Sequence, residues 1–333
     1  MKKIILKLPR LKKRSGKLYG VLKIFLGILL VGIIALSAVY FYNVKINQNF
    51  KTTFYQVSSG KVKDELRIIQ LSDFHNSLFG NDNTELINRI EELKPDLVVM
   101  TGDMIDEDGE NTQIVLDLCK ELVKNVPVYY VYGNHETLHS FDSNDMSIDE
   151  IDQILGTTEE NRSSDGFWKM EDELKTSLEE LGVKVLWNET DTITIGRNTI
   201  DIYGVLTGNP YAFWQFAEET FVDFRYKDQE NFKLMLCHEP YIFETWKDDA
   251  WADLSLAGHT HGGAVRLPRI GALYEHKHGI FPEFGDKKLK NYYIYGKYNV
   301  QGYPLIVSGG LSQKDLIRIN NQPELVVIDV NRY

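Results

Sequence analysis

Apolar positions along the chain follow three rhythms in turn. Residues 24–42, IFLGILLVGIIALSAVYFY, are almost unbroken in apolar character and carry no charge. At helical rise such a run is roughly 28 Å long, about one hydrocarbon core, which predicts a membrane-spanning helix. Residues 43–65 are more polar and read as a tether. From residue 66 onward, short apolar runs of strand type alternate with segments of helical period. LRIIQLSD (66–73) reads as a buried strand. NTELINRIEEL puts Leu86, Ile87, Ile90 and Leu93 on one helical face, with Asn83 as the cap and Pro95 as the stop. DLVVMTGD (96–103) is the next strand, TQIVLDLCKELVKN a second helix and VPVYYVYGNHE a third strand. That order gives βαβ units and a largely parallel sheet.

The alternation lapses over 137–165, which is polar and acidic. This stretch reads as a surface insertion with a short helix at 147–155. It leaves directly from GNHE, so it is also placed to act as a lid. Alternation resumes with a helix at 168–181, the strands GVKVLWN, DTITIGR and TIDIYGV, and an aromatic helix at 211–226. The strands FKLMLCHEP, DLSLAGHTHGG, YPLIVSGG and PELVVIDV follow. No linker divides the halves, so 66–333 reads as one α/β domain with two packed sheets.

Charge changes the picture at the N-terminus. The formal net charge is −11. Residues 1–23 nevertheless hold Lys2, Lys3, Lys7, Arg10, Lys12, Lys13, Arg14, Lys17 and Lys23 and no acidic residue, so the remainder is more acidic still. An acidic body of this kind disfavours DNA or RNA as a partner. Only Lys45 and Lys51 follow the span closely. The positive-inside rule then predicts 1–23 in the cytoplasm and the large domain outside it. Tyr40, Phe41 and Tyr42 fit the outer interface. A cleaved signal peptide is the alternative, with the small residues of ALSA (35–38). The apolar run is longer than usual for one, which favours a retained anchor. Cys119 and Cys237 are too few for a disulfide scaffold and read as small buried hydrophobes.

Chemistry-bearing side chains collect where the predicted strands end. In order these are SDFH (Asp73, His75), GDMID (Asp103, Asp106), GNHE (Asn134, His135, Glu136), CHEP (His238) and GHTHGG (His259, His261). Each has a plainer reading alone: Asp or Asn as a turn residue, glycine as a turn marker, a single His as a hydrogen-bonded core residue. Turn chemistry by itself would supply Ser, Thr, Lys and Gly as often. Here all five ends carry oxygen and nitrogen donors that bind divalent transition metals. A shared carboxylate, further Asp and Asn oxygens and four imidazoles suit two cations side by side.

These blocks, D-x-H, GD-x-x-D, GNH-[DE], H and GH-x-H in that order, resemble the calcineurin-like metallophosphoesterase superfamily. The resemblance implies a four-layer α/β/β/α sandwich. It also implies a di-metal hydrolase of phosphate esters, whether phosphodiester, phosphomonoester or lipid-linked pyrophosphate, with a metal-bridging hydroxide as nucleophile. By the same resemblance Asp73, His75 and His261 bind one metal, Asn134, His238 and His259 the other, and Asp103 bridges both. His135 is implied to contact the phosphate and protonate the leaving oxygen, with Asp106 and Glu136 orienting the ligands or His135. The two divalent cations would be Mn, Fe, Zn or Ni, with manganese favoured. The span followed by AGHTHGGAVRLPRIGALY is similar to the membrane-anchored YkuE-like branch, which often has glutamine where this chain has Ala264. The insertion at 137–165 is a second departure. A catalytically silent or vestigial metal-binding surface module on the same fold is the alternative. A broken ligand set would favour it, and this set is intact.

Residues 266–303 mix Tyr274, Phe281, Phe284, Tyr292, Tyr293, Tyr295, Tyr298 and Tyr303 with Lys277, Lys287, Lys288, Lys290 and Lys297. They read either as a β-rich flap packed on the sandwich or as an amphipathic surface for a membrane or an anionic lipid head group. His276 and His278 fit no motif and are expected to face solvent or, at most, phosphate. His139 has no assigned role, and Phe213 and Trp214 read as core. The glycines of GHTHGG are expected where the backbone turns sharply beside the cations.

Overall fold

The computed structural model describes residues 15–106, 109–136, 173–206, 224, 228–245, 252–263, 265–275, 277–283, 292–314 and 318–333. The chain divides into two compact units, Met1–Lys45 and Ile46–Tyr333. Helix α1 (Ser15–Asn47) makes up the described part of the first. It extends beyond the expected span of 24–42 at both ends. Ile24, Phe25, Ile28, Val31 and Leu36 are all exposed, so the helix is apolar on every side. Such a helix buries itself in other protein or in lipid. Among the described residues it is the one helix long and apolar enough to cross a membrane.

The second unit begins with strand β1 (Lys51–Ser58), then β2 (Leu66–Leu71), α2 (Thr84–Leu93), β3 (Leu97–Thr101), α3 (Gln113–Leu122) and β4 (Val128–Val131). Helix α4 (Glu173–Glu180), β5 (Lys184–Val185), β6 (Glu189–Ile195), β7 (Asn198–Gly204), β8 (Phe232–Leu236), α5 (Ile242–Thr245) and β9 (Leu254–Ala257) follow. The short pairs β10 (Arg266–Leu267) with β11 (Gly271–Ala272), and β12 (Tyr274–Glu275) with β13 (Gly279–Ile280), lead to β14 (Gly296–Val300), β15 (Tyr303–Val307) and β16 (Glu324–Asn331). Two six-stranded sheets result, in the orders β1-β16-β2-β3-β4-β5 and β14-β15-β9-β8-β7-β6. Strands β2 to β5 run parallel, as do β7, β8, β9 and β15.

Alternation within each strand builds the layers. Leu66, Ile68, Leu97, Val99 and Val131 of the first sheet share one core with Ile200, Ile202, Leu234 and Leu256 of the second. The intervening residues Ile69, Leu71, Val98 and Met100 face outward and pack on Leu86 and Ile90 of α2, Leu118 of α3 and Leu178 of α4. Tyr203, Met235 and Ala257 face the other way, onto Phe224, Ile242 and Phe243. Strands apolar on both faces are what a doubly covered parallel sheet requires, and helix, sheet, sheet and helix form the four expected layers.

Three expectations change. Residues 51–58, inside the stretch read as a tether, form a strand paired along its length with β16. Its partner lies at the far end of the chain, and only Val57 of the strand is fully buried, so the local pattern is weak. Asn83 precedes α2 as expected, but its backbone is left-handed and its Oδ1 accepts the Phe79 N–H (2.9 Å) instead of capping the helix. In 266–303, Tyr293 and Tyr298 pack on the core while Tyr274 and Ile280 of the small hairpin are exposed. The insertion at 137–165 with its helix at 147–155, most of the aromatic helix with Phe213 and Trp214, and His139, Ala264, His276, Phe284, Lys287, Lys288 and Lys290 lie outside the described residues.

Candidate metal centre

The ends of five strands deliver the motif residues to one place. Asp73 and His75 follow β2, Asp103 and Asp106 follow β3, and Asn134, His135 and Glu136 follow β4. His238 follows β8, and His259 and His261 follow β9. Three groups have donor atoms within 4.8 Å of one another: Asp73 with His75 and His261, His75 with Asp103 and His135, and Asp103 with His238 and His259. His75 and Asp103 each belong to two groups, so the donors are continuous. Asn134 joins them through Oδ1, 3.2 Å from His238 Nε2 and 2.8 Å from His259 Nδ1.

Reaching that point takes sharp turns. Asp73, His75, Asp103, His259 and His261 have φ of 48°, 47°, 52°, 71° and 49°. This left-handed region is sparsely populated by residues with a Cβ, and such strain clusters at functional sites. Backbone bonds hold the turns: Asp73 N–H donates to Gly102 O (3.0 Å), His75 N–H to Asp103 O (3.1 Å) and His259 N–H to Asp73 Oδ1 (2.8 Å). A Cβ on Gly258 would meet Asp73 Oδ2 at 2.5 Å, and one on Gly133 would meet Asp103 Oδ1 at 2.3 Å. The other two glycines of GHTHGG do turn sharply, but Gly262 lies against Asn321 and Tyr295, and Gly263 against Ala272. Of the three, Gly258 is the one that meets a motif side chain.

Neighbours fix the donors. His238 is fully buried, and its Nδ1–H donates to Thr101 O (2.8 Å), which aims Nε2 at Asp103 Oδ2 (3.0 Å). Asp106 Oδ1 lies 3.3 Å from His75 Nδ1, and Lys314 pairs with the same carboxylate. Glu136 is buried and clamps two loops together. Its Oε2 accepts the N–H of Asp103 (2.9 Å) and Gly133 (2.8 Å), and its Oε1 accepts Met104 N–H (2.7 Å) and Tyr130 O–H (2.6 Å). His135 donates its backbone N–H to Asp103 Oδ1 (2.9 Å), and its ring stands edge-on to His75 at 4.6 Å.

The electrostatics follow. Burial opposes ionisation of Asp103, but the imidazoles of His238, His135 and His75 outweigh it and hold the carboxyl below its ordinary range. Burial likewise opposes a charge on His238, yet Asp103 pushes its pKa up to about 10. For Asp106, burial is outweighed by His75 and Lys314, and the pKa falls to about 2.

The donors fit divalent cations. Asp73 Oδ2 is buried and has no hydrogen-bond partner among the described residues. His75 Nε2 lies 3.3 Å from His261 Nε2, and His238 Nε2 lies 3.1 Å from His259 Nδ1. Buried polar atoms normally find partners. Asp73 Oδ1 lies 3.5 Å from His261 Nε2, and a buried carboxylate grouped with facing imidazole nitrogens is the donor chemistry of a borderline transition-metal ion.

Some neighbours carried no signal in the sequence. The Gly309–Gly310 turn after β15 packs on Asp73, with a Cβ at Gly310 reaching 2.7 Å from the Asp73 Cβ. Arg318 is fully buried, donating to Gly309 O (3.0 Å) with Nη2 3.5 Å from His261 Nδ1. Asn321 Nδ2 donates to the carbonyls of His261 (2.6 Å) and Gly263 (2.7 Å). His278 corrects an expectation. Its side chain is 5% exposed, and its Nδ1 sits 2.7 Å from Glu275 Oε2, so it does not face solvent. Both cysteines are buried, with burial pushing the Cys119 thiol up to about 12.

Comparison with known proteins gives this geometry a family. The family model described as calcineurin-like phosphoesterase matches residues 66–263. YpbG of Bacillus subtilis is 26% identical over 254 residues, covering 76% of this chain and 83% of its own. The metallophosphoesterase YkuE of the same organism is 26% identical over 326 residues, covering 95% and 98%. Phosphodiesterase YaeI of Escherichia coli is 24% identical over 268 residues, covering 79% and 82%. Among solved structures, the phosphopantetheinyl hydrolase of Mycobacterium tuberculosis aligns with a TM-score of 0.42 at 14% identity, over 77% of this chain and 96% of that one. With most of the sandwich inside the matched segment, the chain belongs to the calcineurin-like phosphoesterase family, hydrolases of phosphoester bonds.

Proposed function

We propose that this chain is a membrane-anchored hydrolase of phosphate esters that works with two divalent cations. The observation that carries the reading is the buried Asp73 carboxylate, with Oδ1 3.5 Å from His261 Nε2 and Oδ2 without a hydrogen-bond partner among the described residues, together with the facing imidazole pairs. In this reading Asp73, His75 and His261 hold one cation, Asn134, His238 and His259 hold the other, and Asp103 serves both. Two such ions, when bound, acidify a shared water and neutralise charge on the phosphoryl oxygens. Manganese is the first ion to try, because the set mixes oxygen with imidazole donors.

The protein groups then divide the remaining work. Asp106 holds the Nδ1 edge of His75, and the Thr101 carbonyl holds that of His238, so each ring presents Nε2. Glu136 fixes the backbone on both sides of Asp103 and Asn134. His135 keeps its imidazole partly exposed beside Asp103, placed to donate a proton to the leaving oxygen. The substrate is a phosphodiester, phosphomonoester or lipid-linked pyrophosphate, and the phosphodiesterase relative makes a diester the first choice.

The anchor reading is supported by α1 and the basic residues before it; under the positive-inside rule the proposal has the N-terminus in the cytoplasm and the catalytic domain outside it. The test is hydrolysis of bis(p-nitrophenyl) phosphate by the full chain in detergent, with Mn²⁺ and after chelation. Turnover that appears with Mn²⁺ and disappears with chelator supports the reading; no turnover on mono-, di- or pyrophosphate esters with any divalent ion refutes it. A reporter fused to Tyr333 tests the topology, and a cytoplasmic signal overturns it.

A further inference from the structure

The hairpin β12–β13 touches the site through Tyr241, and the residue that stands out there is Lys277. Glu275 anchors the turn. It is buried, and its carboxylate accepts Tyr241 O–H (2.9 Å), Lys277 N–H (3.2 Å) and His278 N–H (3.1 Å), with His278 Nδ1 at 2.7 Å. The Tyr241 ring in turn stands edge-on to His259, with centroids 5.2 Å apart. The Lys277 ammonium sits 3.6 Å from the centre of that same ring.

Three features set Lys277 apart from an ordinary surface lysine. Its residue is exposed. No carboxylate among the described residues pairs with its ammonium, whereas Lys314, on the other side of the centre, is taken up by Asp106. The tyrosine face and the anchored turn restrict where the ammonium can go, so much of the ordering of a flexible side chain is already done. Its ammonium and the His259 ring both contact the Tyr241 ring.

We propose that the Lys277 ammonium is an anion subsite next to His259, taking a negatively charged group of the substrate that lies beyond the scissile ester. This rests on the phosphoesterase reading above and narrows it to substrates with a second anionic centre. Attraction between exposed charges changes binding by about 1.5- to fivefold.

The test uses the full chain in detergent, loaded with Mn²⁺, and two ligands whose carbon–phosphorus bond resists hydrolysis: benzylphosphonate and (4-carboxybenzyl)phosphonate. Calorimetry should show the parent favouring the carboxylated ligand about 1.5- to fivefold. Lys277→Ala should lose that preference and Lys277→Arg keep it, while benzylphosphonate binds all three alike. A parent without the preference, or a Lys277→Ala variant that retains it, overturns the subsite alone. A parent that binds neither phosphonate overturns the phosphoesterase reading and the subsite with it.

Discussion

Two of the buried carboxylate–cation pairs among the described residues are built differently. Asp201 and Lys233, on neighbouring strands β7 and β8, are 0% and 1% exposed. Asp201 Oδ1 accepts Thr192 O–H (2.8 Å) and Asn231 N–H (3.2 Å), and Oδ2 receives the Lys233 ammonium (3.4 Å), which also donates to Phe224 O (3.0 Å). Both residues lie in regular strand. Asp103 and His238 are as deeply buried, but Asp103 is left-handed, and the nearby Asp73 keeps an oxygen with no protein partner among the described residues. One cluster closes on itself; the other is open to a third party. Burial of charge is common to both, so it is the unfilled acceptor and the strained backbone that mark the functional one.

The largest effect should come from closing the open cluster. Asp103→Asn removes the carboxylate that lies among His75, His135 and His238. Turnover should fall to background and Mn²⁺ binding should weaken, read by a chromogenic assay and calorimetry. Near-parental hydrolysis would refute the role given to Asp103. His135→Ala should lose about 10²- to 10⁴-fold in kcat, the usual contribution of a positioned proton donor, while still binding its cations. Loss of metal in that variant would show that His135 is a ligand, as its place among the donor groups also allows.

The closed cluster makes the opposite prediction. Lys233→Met leaves Asp201 buried without its cation and should destabilise the fold by about 3 kcal/mol. Replacing both partners with apolar residues should recover most of that loss. Thermal unfolding with activity of the folded fraction checks it: stability should drop while kcat holds. A Lys233→Met variant with parental stability but impaired kcat would erase the distinction between the two clusters.

The sequence carried these two clusters unequally. Strand ends bearing Asp, Asn and His pointed to the open one, and the structure brings those residues together. The closed one gave no local sign, since Asp201 and Lys233 each look like a stray polar residue in an apolar strand. The same limit hid β1, whose partner strand is the last in the chain, and the two-residue strands of the 266–280 hairpins, too short to show a period. Glu136 was visible as part of GNHE, but its clamp on the Asp103 loop depends on backbone donors that leave no mark in side-chain type. Arg318 and Lys277 likewise acquire meaning only through partners distant in sequence.

The smallest effect is a slope, and it tests the openness directly. In the protein without cations, Asp103 holds a proton on His238 up to a pKa of about 10. A folded-state pKa raised above the usual histidine value means this pair stabilises the metal-free fold fully below about pH 6.5, with the contribution lost as pH rises through about 10. In the proposed reading a cation takes the neutral Nε2 of His238, so binding must expel that proton. Metal affinity should therefore climb with pH by roughly tenfold per unit between pH 6.5 and 9 for one proton released. The release itself should be measurable in weakly buffered solution as Mn²⁺ is added. Affinity that stays flat over this range would refute the proposal that a cation displaces a proton from His238.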